Sequence, residues 1–234
     1  GAALNHFGED VLVIDGNLTT PNIGINLGSP EVPINLNHVI DKKAEIWEAI
    51  YEHESGLKIM PASLSIRELE NIYPQKFKEL KKEFQNLAKY IIIDSAAGLN
   101  EEARSAIELS DELIVVTNPE MPAITDAMKA IKFAQRKNKE ILGVVVTRVR
   151  KDRIEMQPLV VKELLEIPIL GMIPEDITVK KALNRRDAVI HTHPKSKSSR
   201  AYKEIAAKIL DIDYDSNKDK ESIWEKIVLI VKRD

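Results

Sequence analysis

Short runs of apolar, mostly β-branched residues alternate along this chain with longer stretches in which apolar positions recur every three to four residues. Val11-Leu12-Val13-Ile14, Leu57-Lys58-Ile59-Met60, Tyr90-Ile91-Ile92-Ile93, Leu113-Ile114-Val115-Val116-Thr117, Ile141-Leu142-Gly143-Val144-Val145-Val146 and Ile169-Leu170-Gly171-Met172-Ile173 read as buried strands. Between them, residues 63–88, 100–109, 122–138, 155–166 and 197–210 read as helices. Strands that alternate with helices predict a doubly wound α/β fold, a mostly parallel sheet covered on both faces. The first residues, Gly1-Ala2-Ala3-Leu4-Asn5-His6-Phe7-Gly8, read as the last turns of a helix closed by glycine. In such a fold that helix enters from an earlier strand, so the expected sheet lacks its first central strand.

Composition narrows the class. With 234 residues, 44% hydrophobic and 30% charged, the chain suits one α/β domain over residues 1–210. An acidic linker over 211–221 and an amphipathic segment over 222–234 follow it. The net charge of −3 gives no whole-protein attraction to nucleic acid. No cysteine is present, which excludes disulfides, thiolate metal sites and cysteine nucleophiles, and fits a reducing cytoplasm. The five histidines are scattered, and His191 and His193 read as a solvated turn after Arg185 and Arg186 rather than as a metal pair. The longest apolar run, Ile227 to Val231, is too short to cross a bilayer.

Ligands of open α/β sheets bind beyond the carboxyl ends of the strands, and two apolar strands stop there on an acid, at Asp15 and at Asp94. A carboxylate so placed either holds a Mg²⁺, directly or through water, or caps the helix that follows.

At this point the order of motifs matters more than any one of them. Val11-Leu12-Val13-Ile14-Asp15-Gly16-Asn17, with the loop that runs on to Leu27-Gly28, resembles the switch I segment of the MinD/ParA group of deviant Walker ATPases. Ile91-Ile92-Ile93-Asp94-Ser95-Ala96-Ala97-Gly98-Leu99 resembles that group's Walker B and switch II segment. Thr117-Asn118-Pro119-Glu120, Thr147-Arg148 and Ile173-Pro174-Glu175-Asp176 follow in family order, so the resemblance spans residues 1–210.

The resemblance implies an ATP-dependent homodimer that hydrolyses ATP with Mg²⁺ and positions division or partition machinery under an activator protein. It implies that Asp94 holds the metal through water, Gly98 offers an amide to the γ-phosphate, and Asp15 supports the metal site. It also implies that Thr147, Arg148, Pro174 and Asp176 surround the adenine, and that Glu120 meets the nucleotide across the dimer. The blander readings make Pro174 a strand end, Glu120 a helix cap and Arg148 a surface residue.

Two departures bear on activity. No Lys-Gly-Gly-x-Gly-Lys-Thr run occurs in these residues, and a chain truncated ahead of Gly1 is the simplest expectation. Asn17 stands where the group has a second Asp that orients the attacking water; it hydrogen-bonds water but cannot take its proton. The alternative to an ATPase is therefore a non-catalytic scaffold that keeps the fold.

Two surfaces are candidate partner sites. Residues 180–200 gather Lys180, Lys181, Arg185, Arg186, Lys195, Lys197 and Arg200 against Asp187, a pattern for non-specific DNA or for a solvated loop. Residues 222–234 resemble in position the group's membrane-targeting helix, with 223, 224, 227, 228, 230 and 231 on one face, and imply a peripheral membrane contact. Three acids balance three bases between Glu221 and Asp234, so attraction to anionic lipid would be weak.

Overall fold

The computed structural model describes residues 1–65, 74–150, 156–216 and 219. Seven strands appear in order, β1 (Val11–Gly16), β2 (Tyr51–Glu52), β3 (Lys58–Met60), β4 (Tyr90–Ser95), β5 (Glu112–Thr117), β6 (Glu140–Val149) and β7 (Ile169–Pro174). They form a four-stranded sheet in the order β2-β3-β1-β4 and a three-stranded sheet in the order β5-β6-β7. Every pairing is parallel except β2 with β3, so the expected mostly parallel α/β fold is present.

The period of two along each strand explains why both faces are covered. Leu12 and Ile14 point into a cluster with Leu36, Val39, Phe77, Leu80, Phe84, Ala106 and Leu109. Val11 and Val13, at the alternate positions, join Ala3, Leu4, Ile59, Ile190 and Ala206 on the other face. In the second sheet Val144 and Val146 pack with Ile124, Ile131, Val161 and Leu165, while Val145 packs with Ile173, Ala201 and Ile205. The helix Lys197–Leu210 thus supplies Ala206 to one sheet's core and Ala201 and Ile205 to the other's. That shared helix fastens the two sheets.

β4 ends the first sheet and β5 ends the second. Among the described residues neither has a strand on its other side, and on β5 Ile114 and Val116 are exposed.

The helix expected over 63–88 is not continuous. Residues 63–65 carry no regular structure, and beyond Pro74 the chain forms Pro74–Phe77, a 3₁₀ turn at Lys78–Leu80 and Lys81–Phe84. Asn86 at φ +72 turns the chain into β4. The helices at 100–109, 122–138 and 155–166 are present as Glu101–Leu109, Met121–Arg136 and Pro158–Leu165. After Leu210, Tyr214 and Lys203 both hold the Asp219 carboxylate, at 2.6 and 2.7 Å, and Tyr214 meets Phe7 edge-on. The segment 222–234 lies outside the described residues.

Candidate functional site

The register of β1 against β4 sets Asp15 directly beside Asp94 at the carboxyl ends of both strands. Asp15 is fully buried. Its Oδ2 accepts the amides of Asn22 (2.9 Å) and Ile23 (3.0 Å), and its Oδ1 accepts the amide of Asn17 at 3.3 Å. Asp15 therefore folds the loop back on itself and satisfies the first amides of the short helix Ile23–Asn26. Burial pushes its carboxyl up to about 6 against these three N–H groups, and the neighbouring Asp94 adds to the rise. Asp94 is exposed, yet surrounded by enough protein that desolvation raises its carboxyl as well. Among the described residues no hydrogen bond reaches it.

The sign of this burial is testable. A raised carboxyl means that the folded state binds more protons than the unfolded one between the two pKa values, so stability falls as pH rises across that window. For Asp15, moving from 3.8 to about 6, the loss between pH 4 and 6 is roughly 2 kcal/mol. Asp15→Asn keeps one oxygen for the amides of Asn22 and Ile23 but removes the ionisation. Its thermal midpoint should fall less than the parent's between pH 4 and pH 6, and equal slopes would place the proton uptake elsewhere.

Asn17 is part of the same loop. Its Nδ2 donates to the Thr20 carbonyl at 2.8 Å, and its Oδ1 accepts from the Thr20 hydroxyl at 3.0 Å and amide at 3.3 Å. The carboxamide closes a tight turn that a carboxylate would hold less well, since Asp has no N–H for that carbonyl. Next to it, the Thr19 hydroxyl donates to Glu102 Oε1. Glu102 is buried in the first turn of Glu101–Leu109, and its Oε2 has no partner among the described residues. This clip ties the loop after Asp15 to the helix after Asp94. The sequence carries no sign of it beyond an acid near a helix start.

Gly98 lies in the open loop after β4 at φ +77, a conformation that favours glycine, and nothing lies within 4 Å of where a Cβ would be. The loop ends at Asn100, whose side chain caps Glu101–Leu109 by accepting the Ala103 amide at 2.9 Å. Asp94 is thus not the cap of that helix. Glu120 occupies the N-cap position of Met121–Arg136, but its side chain is exposed and makes no capping hydrogen bond.

In the second sheet, β6, β7 and the loop after β7 carry four further residues. The β6·β7 register slips between Val146 and Val149 and resumes at Val149 opposite Pro174. In that bulge Arg148 sits at φ +57, a left-handed conformation that costs a non-glycine residue about 1 kcal/mol or more. Thr147 donates its hydroxyl to the Thr117 carbonyl of β5 at 3.2 Å. Asp176 Oδ1 accepts the Thr178 amide at 3.0 Å, capping Ile177–Asn184, while Oδ2 accepts the Ser198 amide (3.1 Å) and hydroxyl (3.2 Å). Burial alone would raise this carboxyl, but the bonds from Thr178 and Ser198 outweigh it and hold it below the usual range. The Asp176 carboxylate fixes the loop after Pro174 to two helix starts.

Two carboxylates side by side, one saturated with N–H groups and the other without a bond, suit a hard divalent cation at Asp94. Such an ion would offset the cost of ionising both.

Known proteins share this family and fold. Residues 2–210 match the family described as "ParA: NUBPL iron-transfer P-loop NTPase". An uncharacterized ATP-binding protein of Methanocaldococcus jannaschii is 36% identical over 228 residues, covering 97% of this chain and 86% of the relative. The septum site-determining protein MinD of Bacillus subtilis is 28% identical over 221 residues, 90% of this chain and 81% of its own. Among solved structures, MinD of Pyrococcus horikoshii complexed with Mg-ADP superposes with a TM-score of 0.84 at 30% identity, covering 88% of this chain and 86% of that one.

Proposed function

Since the chain belongs to the MinD/ParA-like P-loop NTPases, we propose that it works as an ATP-gated dimerisation switch that positions division or partition machinery. The observation that carries this reading is the pairing of Asp15 with Asp94 at the carboxyl ends of two parallel strands.

In this reading Asp94 anchors Mg²⁺ through water, and the ion supplies charge neutralisation for the nucleotide phosphates. Asp15 orients the loop that carries Asn17, and Asn17 holds the attacking water by hydrogen bonding. Gly98 offers its amide to the γ-phosphate. Thr147, Arg148 and Pro174 line the adenine, and Asp176 positions their loop. Glu120, exposed at its helix start, reaches the nucleotide of the opposite subunit. The β- and γ-phosphates need a Gly-rich loop and its lysines, which these 234 residues do not contain. Hydrolysis is therefore assigned to a chain that carries such a loop ahead of Gly1.

Surface partners follow the same reading. Lys180, Lys181, Arg185, Arg186, Lys195 and Lys197 are exposed, as a phosphate-binding surface requires. A scaffold without turnover is the second reading, favoured by the use of the Asn17 carboxamide as a loop clamp. Light scattering on a loop-bearing chain separates the two. The switch predicts a monomer that becomes a dimer with ATP and Mg²⁺ and returns with ADP, whereas a mass independent of nucleotide would favour the scaffold.

A further inference from the structure

A second cluster lies at the opposite end of the sheet. β2 runs antiparallel to β3, with Glu52 opposite Lys58, so His53 emerges at the amino ends of the parallel strands, away from Asp15 and Asp94. The turn that carries it is closed by His53 N–H to the Leu57 carbonyl at 2.9 Å and by Gly56 N–H to the His53 carbonyl at 2.8 Å. Facing it, Asp187 and His191 flank the start of the helix Val189–Thr192. His191 is neither solvated nor paired with His193. Its Nδ1 lies 2.7 Å from Asp187 Oδ1, and His53 Nε2 lies 3.5 Å from the same oxygen. The two imidazoles stack at 5.1 Å with their planes 16° apart. All three side chains are about four-fifths buried, at 17%, 18% and 23% exposure.

We propose that His53, Asp187 and His191 form a binding site for a divalent transition-metal ion of the Zn²⁺ class, a clamp between the His53 turn and the helix at 189–192. One ligand atom from each residue lies within 4.8 Å of the others. Two imidazole nitrogens and one carboxylate oxygen are the donor set of a three-ligand zinc site, with the remaining position left to water. Imidazole donors disfavour Mg²⁺ and Ca²⁺, which take oxygen. Ligation at about 2.0–2.1 Å sets neighbouring donors of a tetrahedron ~3.3 Å apart. The 3.5 Å contact of His53 already fits that spacing. The 2.7 Å contact of His191 opens by about half an ångström once the proton shared with Asp187 leaves to solvent.

The surroundings prepare the ligands. His53 Nδ1 accepts the Ser55 amide at 3.2 Å and lies 3.0 Å from the Ser55 hydroxyl, so on ligation at Nε2 the ring proton moves to Nδ1, where that hydroxyl can accept it. Asp187 Oδ1 also accepts the Ala188 amide at 2.6 Å, which fixes the carboxylate at the helix start. A purely structural hydrogen-bonded cap would need Asp187 and His191 alone. It gives no reason for a second imidazole, from a turn far off in sequence, to stack against the first.

The test is a metal titration of the chelator-treated protein with Zn²⁺ by calorimetry and with Co²⁺ by its visible ligand-field bands. One equivalent of each should bind, Zn²⁺ should raise the thermal midpoint, and equal Mg²⁺ should leave it unchanged. His53→Ala and Asp187→Asn should each weaken Zn²⁺ at least tenfold, while His193→Ala, outside the cluster, should not. Circular dichroism of the metal-free His53→Ala variant guards against reading misfolding as lost affinity. Absence of stoichiometric Zn²⁺ binding by the parent, or parental affinity in a folded His53→Ala, would overturn the proposal.

Discussion

Asp94→Ala, in a chain that carries a Gly-rich phosphate loop ahead of Gly1, should lower single-turnover ATP hydrolysis by about a hundredfold or more. Asp94 is the member of the carboxylate pair that no described residue occupies, so its loss leaves the metal without its anchor at the end of β4. Asp15, with three amides already bonded, cannot swing to replace it without opening the loop at Asn22 and Ile23. Asn17→Asp should move the rate the other way, by about tenfold, at or below the low end of general-base effects. A carboxylate there can take the proton of the attacking water, but the variant gives up the bond from Nδ2 to the Thr20 carbonyl and so positions the loop less firmly. Opposite movement of the two variants under saturating ATP is the signature of this assignment. An unchanged rate in Asp94→Ala would remove the metal role, and an unchanged or slower Asn17→Asp would mean that another group orients the water.

Much of this was legible because strands announce themselves. Val11–Ile14 and Tyr90–Ile93 are continuous apolar runs, each ended by an acid, and register did the rest by placing Asp15 beside Asp94. The Thr147-Arg148 bulge was legible only as a motif, because the slip in pairing that puts Arg148 at φ +57 depends on how β6 meets β7. β2 escaped notice because two residues cannot show a period. The 63–88 stretch misled because Phe77, Leu80 and Phe84 do share a buried face. They reach it through short helical pieces joined by a 3₁₀ turn rather than through one helix. The Thr19–Glu102 clip and the His53–Asp187–His191 cluster join residues 83 and 134 or more positions apart, respectively. Contacts of that range leave no local pattern, and His191 next to His193 pointed to the wrong partner.

The affinity for ATP carries the second large effect. In the proposed reading these residues offer the nucleotide a metal anchor at Asp94 and a base wall at Thr147, Arg148 and Pro174, but they contain no Gly-rich loop for its phosphates. Charge-assisted hydrogen bonds are worth about 1.5–3 kcal/mol each, so even two such bonds from a phosphate loop amount to ~3–6 kcal/mol, a hundredfold or more in affinity. Because the proposed role of Asp94 runs through Mg²⁺, the gained affinity should depend on that ion. The most direct measurement is calorimetric titration of ATP, with and without Mg²⁺, into the 234-residue chain and into the same chain preceded by a Gly-rich phosphate loop. The account predicts negligible binding by the first and Mg²⁺-dependent binding at least a hundredfold tighter by the second. Micromolar binding by the 234 residues alone, or tight binding by the loop-bearing chain that ignores Mg²⁺, would contradict it.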